Sequence, residues 1–266
     1  MVCDTPFYVM PKAGTEKVPV PCGRCPVCKR KRASSWAFRL RQHERRCPAH
    51  FVTFTYDTDH VPISNNGFMT LNKRDVQLYF KRLRKLCGKS VSIKYYLVGE
   101  YGGKTHRPHY HAIIFGVSDT EDYFRAWHID GSPIGTVHVG GVSAASVAYT
   151  LKYISKPPSP IFHRNDDRIR EFSLMSKGLG ADYLSPAVES YHRSDDLRLY
   201  VTQDAYKVSM PRYYRHKLWS ESERRSQALR IAAQVESVDL DVASSERYAR
   251  YYSFNRNYEF HDTAKL

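Results

Sequence analysis

At 266 residues, the chain is long enough to bury a sizeable core, and its formal net charge of +14 points to a polyanionic partner. No apolar run approaches a membrane span and the N-terminus has no apolar signal core, so the expectation is a soluble cytoplasmic protein that meets nucleic acid rather than a membrane. Aromatics make up 13% of the chain, with 20 Tyr and 3 Trp, which suits base stacking on single strands unless most of those tyrosines are packing residues.

Residues 1–21 read as irregular. Then comes Cys22-Gly-Arg-Cys25-Pro-Val-Cys28, followed at once by Lys29-Arg30-Lys31-Arg32. Cys-x2-Cys is half of a tetrahedral zinc site, and a third Cys at the same spacing supplies another thiolate. The fourth ligand of a structural Zn²⁺ would be Cys47, Cys3 or His43. The competing reading is a tight turn with buried thiols. The basic cluster opens a helix through Trp36 to Glu44, and its cations suit phosphates, which give affinity without sequence information.

Phe51–Tyr56 is a β-rich run. Asn72 reads as the N-cap of a helix with Val76, Tyr79, Phe80, Leu83 and Leu86 on one stripe and basic residues elsewhere. Ser92–Gly99 is the next strand. It runs into Glu100-Tyr101-Gly102-Gly103, a turn signal, and so pairs with the strand that follows.

That following strand begins after Pro108 and ends at Gly116. Its period of two puts His109, His111, Ile113 and Phe115 on one face, with the imidazoles about 6.8 Å apart along the strand. Two imidazoles converging on one volume suit a single metal ion, and Glu100 would complete a three-ligand set. Taken alone, the histidines also read as ordinary residues at the end of a core strand, and Glu100 as a solvated turn residue.

Ser143–Lys156 reads as a helix stopped by Pro157-Pro158. Ala144, Val147, Ala148, Leu151 and Ile154 form its apolar stripe, while Tyr149, Tyr153, Lys156 and Ser146 gather opposite. Tyr149 and Tyr153, one turn apart with a lysine nearby, are candidate nucleophiles toward phosphate. The alternative is an exposed aromatic ladder that stacks bases. Residues 157–172 read as a loop. Ser220–Glu223 is a capping box, and the helix behind it carries Ala228, Ile231, Ala232 and Val235 on one face.

The His109-Tyr110-His111 strand followed by Tyr149-x3-Tyr153 with Lys156 on a helix resembles the HUH endonuclease superfamily. In its order of motifs over residues 20–218, the chain resembles the replication initiators of microviruses of the gokushovirus type. Cys22–Cys28, Phe51–Tyr56, Gly99–Gly102, Arg107–Gly116, Met175–Gly180 and Met210–Tyr214 carry that likeness. It implies an α+β fold with a central antiparallel sheet flanked by helices and a helical or irregular C-terminal extension. It implies three regions: a Cys-rich basic segment over 1–48, a nuclease core over 49–185 and an extension over 186–266.

It also implies a mechanism. His109, His111 and Glu100 would hold Mg²⁺ or Mn²⁺, and Tyr149 or Tyr153 would attack an origin phosphate with Lys156 beside them. A 5′-phosphotyrosine link and a free 3′-OH primer would result, and the displaced circle would later be rejoined. Single-stranded and replicative-form origin DNA are the expected partners, with a host helicase and polymerase, in the cytoplasm of a bacterial host. The competing classes are a non-catalytic single-strand-binding or packaging protein, and an HUH transposase or relaxase.

Overall fold

The computed structural model describes residues 3–10, 17–155, 163–195 and 197–235. From the N-terminus come β1 (Phe7–Val9), β2 (Val18–Val20), α1 (Pro26–Glu44), β3 (Ala49–Thr55) and α2 (Lys73–Cys87). Then follow β4 (Lys94–Tyr101), β5 (Pro108–Phe115), α3 (Glu121–Ala126), β6 (His128–Ile129), β7 (Ser132–Pro133), β8 (Val137–Gly141) and α4 (Ala144–Ser155). Last are β9 (Phe172–Met175), α5 (Pro186–Arg193), β10 (Tyr200–Gln203), β11 (Tyr206–Ser209), α6 (Arg212–Leu218) and α7 (Glu221–Val235). The chain divides into two compact units: Ala37–Tyr183, and Met1–Trp36 together with Leu184–Leu266.

The Ala37–Tyr183 unit is built on a five-stranded sheet in the order β8-β3-β5-β4-β9, antiparallel throughout. Each strand alternates its side chains between two faces. On one face Val52, Phe54, Leu97, Tyr110, Ala112 and Ile114 are buried with Val76, Tyr79, Phe80 and Leu83 of α2 and Tyr123 and Ala126 of α3. Each such side chain contributes about 1.5–3 kcal/mol relative to leaving it exposed. The other face carries His109, His111, Ile113 and Phe115, and α4 packs there on β4 and β5. The α+β architecture with flanking helices agrees with the expectation from sequence.

Asn72 is the N-cap of α2, its side chain accepting from the Arg74 and Asp75 amides. Val76, Tyr79, Phe80 and Leu83 of the expected stripe are buried, but Leu86, in the last turn, is 44% exposed. Gly116 ends β5 with φ +89, and a Cβ there would stand 2.8 Å from the Ser92 carbonyl oxygen. Only glycine accepts both the left-handed backbone and that close approach.

Three local readings are corrected. Residues 1–21 are not wholly irregular, because β1 and β2 pair as a short antiparallel ladder. The stretch read as a loop up to 172 reaches a strand, β9, whose four residues are too few to show a period but pair with β4. The C-terminal part also contains an antiparallel hairpin, β10–β11.

On α7 the Ser220–Glu223 capping box is present: the Ser220 amide donates to Glu223 Oε2 at 2.6 Å and the Glu223 amide to Ser220 Oγ at 3.3 Å. Its expected apolar face is not a buried one where it is described, since Ala228 and Ile231 are exposed and Gln227 is buried. The tyrosine-rich segment after Arg247 lies outside the described residues. Among the described residues, no helix is long and apolar enough to cross a membrane.

Candidate active site

The site forms where the central hairpin meets the tyrosine helix. In the β4–β5 ladder Glu100 lies opposite His109, and Val98 lies opposite His111. Cross-strand partners share a face, so Glu100 and both imidazoles project to the same side, with His111 on the diagonal. Glu100 Oε1 is 3.0 Å from His109 Nε2 and 2.8 Å from His111 Nε2. The three ligand atoms all lie within 4.8 Å of one another.

Glu100 is buried at 3% exposure. A buried carboxylate is costly unless paired and hydrogen-bonded, so its partners decide its state. Burial pushes its pKa up, but hydrogen bonds from His109, His111 and Tyr149 outweigh this and hold the carboxyl well below the usual range. For His109, burial pushes the pKa down, while the Glu100 bond, the Arg107 carbonyl and nearby carboxylate charge carry it upward overall.

The tautomer of His109 shows what the site is built to receive. Its Nδ1 lies 3.1 Å from the Arg107 carbonyl oxygen, which can only accept. Nδ1 therefore carries a proton, and in the neutral ring the Nε2 lone pair points at the Glu100 carboxylate. Two acceptors 3.0 Å apart need a proton or a cation between them. His111 Nδ1 is likewise held by Thr53 Oγ1 at 2.8 Å from the neighbouring strand. Fixing the remote nitrogen so that Nε2 faces inward is how metal-binding imidazoles are oriented. Two imidazoles and a carboxylate thus fit a divalent cation of the Mn²⁺ or Mg²⁺ class, with imidazole the better match to Mn²⁺.

Helix α4 brings the tyrosines to this group. The Tyr149 hydroxyl donates to Glu100 Oε1 at 2.7 Å, and its ring stands edge-on to His111 with centroids 4.9 Å apart. Burial first, then the bond to Glu100 and its charge, push the Tyr149 phenol well above its ordinary pKa. The Tyr153 ring is 6.3 Å from that of Tyr149. Both tyrosines therefore lie on the site side of the helix, while Val147, Thr150 and Leu151 are buried.

The stripe read from sequence differs in detail. Ala144 and Ala148 are exposed, and Thr150 takes a buried place because its hydroxyl donates back to the Ser146 carbonyl at 2.8 Å, which removes the cost of burying it. Ser146 is not grouped with the tyrosines. It exchanges hydrogen bonds with Ser143 at the start of the helix.

Lys156 lies outside the described residues. The lysine seen beside the tyrosines is Lys152, whose Nζ is 3.5 Å from the Tyr149 ring centroid and 5.1 Å from that of Tyr153. Helical-wheel spacing missed it because a long aliphatic stem can reach back over a neighbouring face. Thr53 was also missed. Its signal was available, since Phe51, Thr53 and Thr55 alternate onto one face of β3 and Phe51 stacks on His111 at 5.5 Å.

Residues 49–158, which contain all these side chains, match the model of the replication-associated protein ORF2 family. The chain is 25% identical over 231 residues to "Replication-associated protein ORF2" of Spiroplasma virus 4, covering 81% of this chain and 72% of that protein. It is 24% identical over 246 residues to "Replication-associated protein VP4" of Bdellovibrio phage phiMH2K, covering 85% and 75%. It is 25% identical over 227 residues to "Replication-associated protein ORF4" of Chlamydia phage 1, covering 75% of this chain and 53%, about half, of that relative. No solved structure matches the chain. The family match and the three phage relatives together support a replication initiator of the microvirus type.

Proposed function

We propose that this chain starts rolling-circle replication of a phage genome by nicking one strand of the origin through tyrosine attack, and later rejoins the displaced circle. The observation that carries the reading is the convergence on one carboxylate oxygen: His109 Nε2, His111 Nε2 and the Tyr149 hydroxyl all lie within 3.0 Å of Glu100 Oε1. A metal-binding triad and a phenol are thereby within reach of a single phosphate.

Bound by Glu100, His109 and His111, Mg²⁺ or Mn²⁺ would polarise the scissile phosphate as a Lewis acid. Tyr149 supplies the nucleophile. Its oxygen forms a bond to phosphorus as the bond from phosphorus to O3′ breaks. The phenol proton is lost, and the departing O3′ gains one and becomes a free 3′-OH. The 5′ end stays on the enzyme as a phosphotyrosine, so the phosphodiester energy is conserved for rejoining. Tyr153, one turn along α4, supplies the second nucleophile when the origin is regenerated after one round. Lys152 Nζ lies beside both rings, and Lys156 is proposed to add a further cation.

The basic segment Lys29–Arg32 would hold the DNA backbone, and a host helicase and polymerase would act on the strand in the bacterial cytoplasm. The test is incubation of the full chain with an origin oligonucleotide and Mn²⁺, followed by denaturing electrophoresis. A covalent protein–DNA band that is absent with EDTA supports the proposal. DNA binding without any covalent band under either metal overturns it in favour of a single-strand-binding protein.

A further inference from the structure

We propose that Cys3, Cys22, Cys25 and Cys28 form a tetrathiolate zinc centre, separate from the Glu100 site, that fastens the first residues of the chain to the start of α1. All four are free thiols whose Sγ atoms lie within 4.8 Å of one another. A Zn–S bond is about 2.3 Å, so the edge of a ZnS₄ tetrahedron is about 3.8 Å. Cys3 Sγ is 3.8 Å from Cys25 Sγ and 3.5 Å from Cys28 Sγ. Of the three fourth ligands considered from sequence, Cys3 is the one brought to the group. His43 lies instead in the other unit, its ring against Phe115 at 4.8 Å.

The surroundings suit thiolates rather than packed thiols. The amides of Arg24 and Cys25 donate to Cys22 Sγ at 3.3 and 3.2 Å, the Cys22 amide donates to Cys3 Sγ at 3.3 Å, and Thr5 Oγ1 donates to Cys22 Sγ at 3.3 Å. Cys28 sits in the first turn of the 19-residue α1, where the helix dipole favours negative charge. Binding releases the thiol protons to solvent and leaves a centre of net charge −2, beside which Lys29, Arg30, Lys31 and Arg32 stand in sequence.

Little else holds this corner among the described residues. The local core consists of the cysteines and Val27. One buried valine is worth about 1.5–3 kcal/mol, too little to order a segment. Phe7, Tyr8 and Val9 of β1 are 52%, 64% and 43% exposed, so the hairpin they belong to has no core of its own. Yet Cys3 and Cys22 flank that hairpin and meet at the cluster. A bond network through one ion accounts for both facts, as in small zinc-stapled modules. Sulfur atoms this close leave no room between them for a multi-iron cluster.

The test uses the full chain, purified without added metal. Elemental analysis should find about one tightly held zinc per chain. That zinc should persist in the His109→Ala/His111→Ala double variant and fall in Cys3→Ser and Cys25→Ser. Because a cysteine variant can fail to fold, a second measurement uses the unaltered chain. After chelator removes its metal, added Co²⁺ should give the intense thiolate charge-transfer and tetrahedral visible bands of a four-sulfur site. Absence of both zinc and those cobalt bands overturns the proposal. So does iron in place of zinc, zinc that is lost with the histidines but kept with Cys3→Ser, or disulfides among these four residues in non-reducing mass analysis.

Discussion

A single oxygen, Glu100 Oε1, receives two imidazoles and a phenol. Removing either imidazole opens the ligand set while sparing the core, since His109 and His111 face away from the α2 packing layer. His109→Ala and His111→Ala are each expected to lower nicking by on the order of a hundredfold or more, the scale of a lost Lewis acid. Salt-dependent DNA binding should change little, because it rests mainly on the phosphate backbone. Cleavage assays and binding isotherms on the same variants check this, and near-full cleavage by either variant counts against the triad. The tyrosines make a second prediction. Tyr149→Phe should lose more nicking than Tyr153→Phe, because the Tyr149 hydroxyl is the one that donates to Glu100. The double variant should give no covalent adduct, since Phe keeps the ring and removes the attacking oxygen. Equal nicking by all three variants would dismiss the phenols as nucleophiles. At this scale period-two alternation was enough to find His109, His111 and, through the hairpin, Glu100. It could not find Thr53 or Lys152, because both act through reach across elements rather than through spacing within one.

Helix α2 and the β4–β5 hairpin set the geometry that those residues use. A Cβ added to Gly99 would lie 3.0 Å from Leu71 Cδ2 and 3.1 Å from Tyr110 Cδ1, so the Tyr110 ring passes over a strand position kept bare. Tyr110 Oη in turn accepts from the Asn72 amide at 2.8 Å, joining the central strand to the cap of α2. Gly99→Ala must displace that ring, and is expected to destabilise by about 1–3 kcal/mol, read by denaturant unfolding. Asn72→Ala should cost about 1 kcal/mol through the lost cap. If Gly99→Ala unfolds at the same denaturant concentration as the parent, the close approach is not a constraint. Strands β3, β4 and β5 and helices α2 and α4 were readable because each carries a strong period and a clear stop. Strand β9 was not, because four half-buried residues at a sheet edge carry no period, and pairing with β4 alone defines it.

Across the whole molecule, charge governs binding and buried imidazole governs pH response. Arg30, Lys31 and Arg32 are exposed. Replacing Lys31 and Arg32 by Ala should flatten the plot of log affinity for single strands against log salt by about 0.7 for each phosphate no longer neutralised, without moving the nick. An unchanged slope would place those cations away from the DNA. His43 is 3% exposed, and its pKa is lowered by burial first and then by Lys94, against a partial upward pull from Asp182. Its folded pKa lies below the unfolded one, so the unfolded chain takes up the proton first. Its contribution is intact above the unfolded value of about 6.5 and is lost as the pH falls below it. Thermal unfolding between about pH 7.5 and 5.5 should therefore show a loss of stability that is shallower in His43→Gln.

The pairing of Glu100 with His109 across the β4–β5 ladder carries one more consequence. Side chains alternate with a period of two, so a slip of the hairpin by one residue would turn Glu100 to the opposite side of the sheet from both imidazoles. The turn that fixes the register is short and tied at its base by the Gly102 amide donating to the Arg107 carbonyl at 3.0 Å. The same backbone bonds that complete the sheet therefore complete the ligand set. A half-folded or misregistered chain lacks the chemistry altogether instead of performing it loosely. For an enzyme proposed to break and reseal a genome at one place, that makes correct assembly its own safety catch.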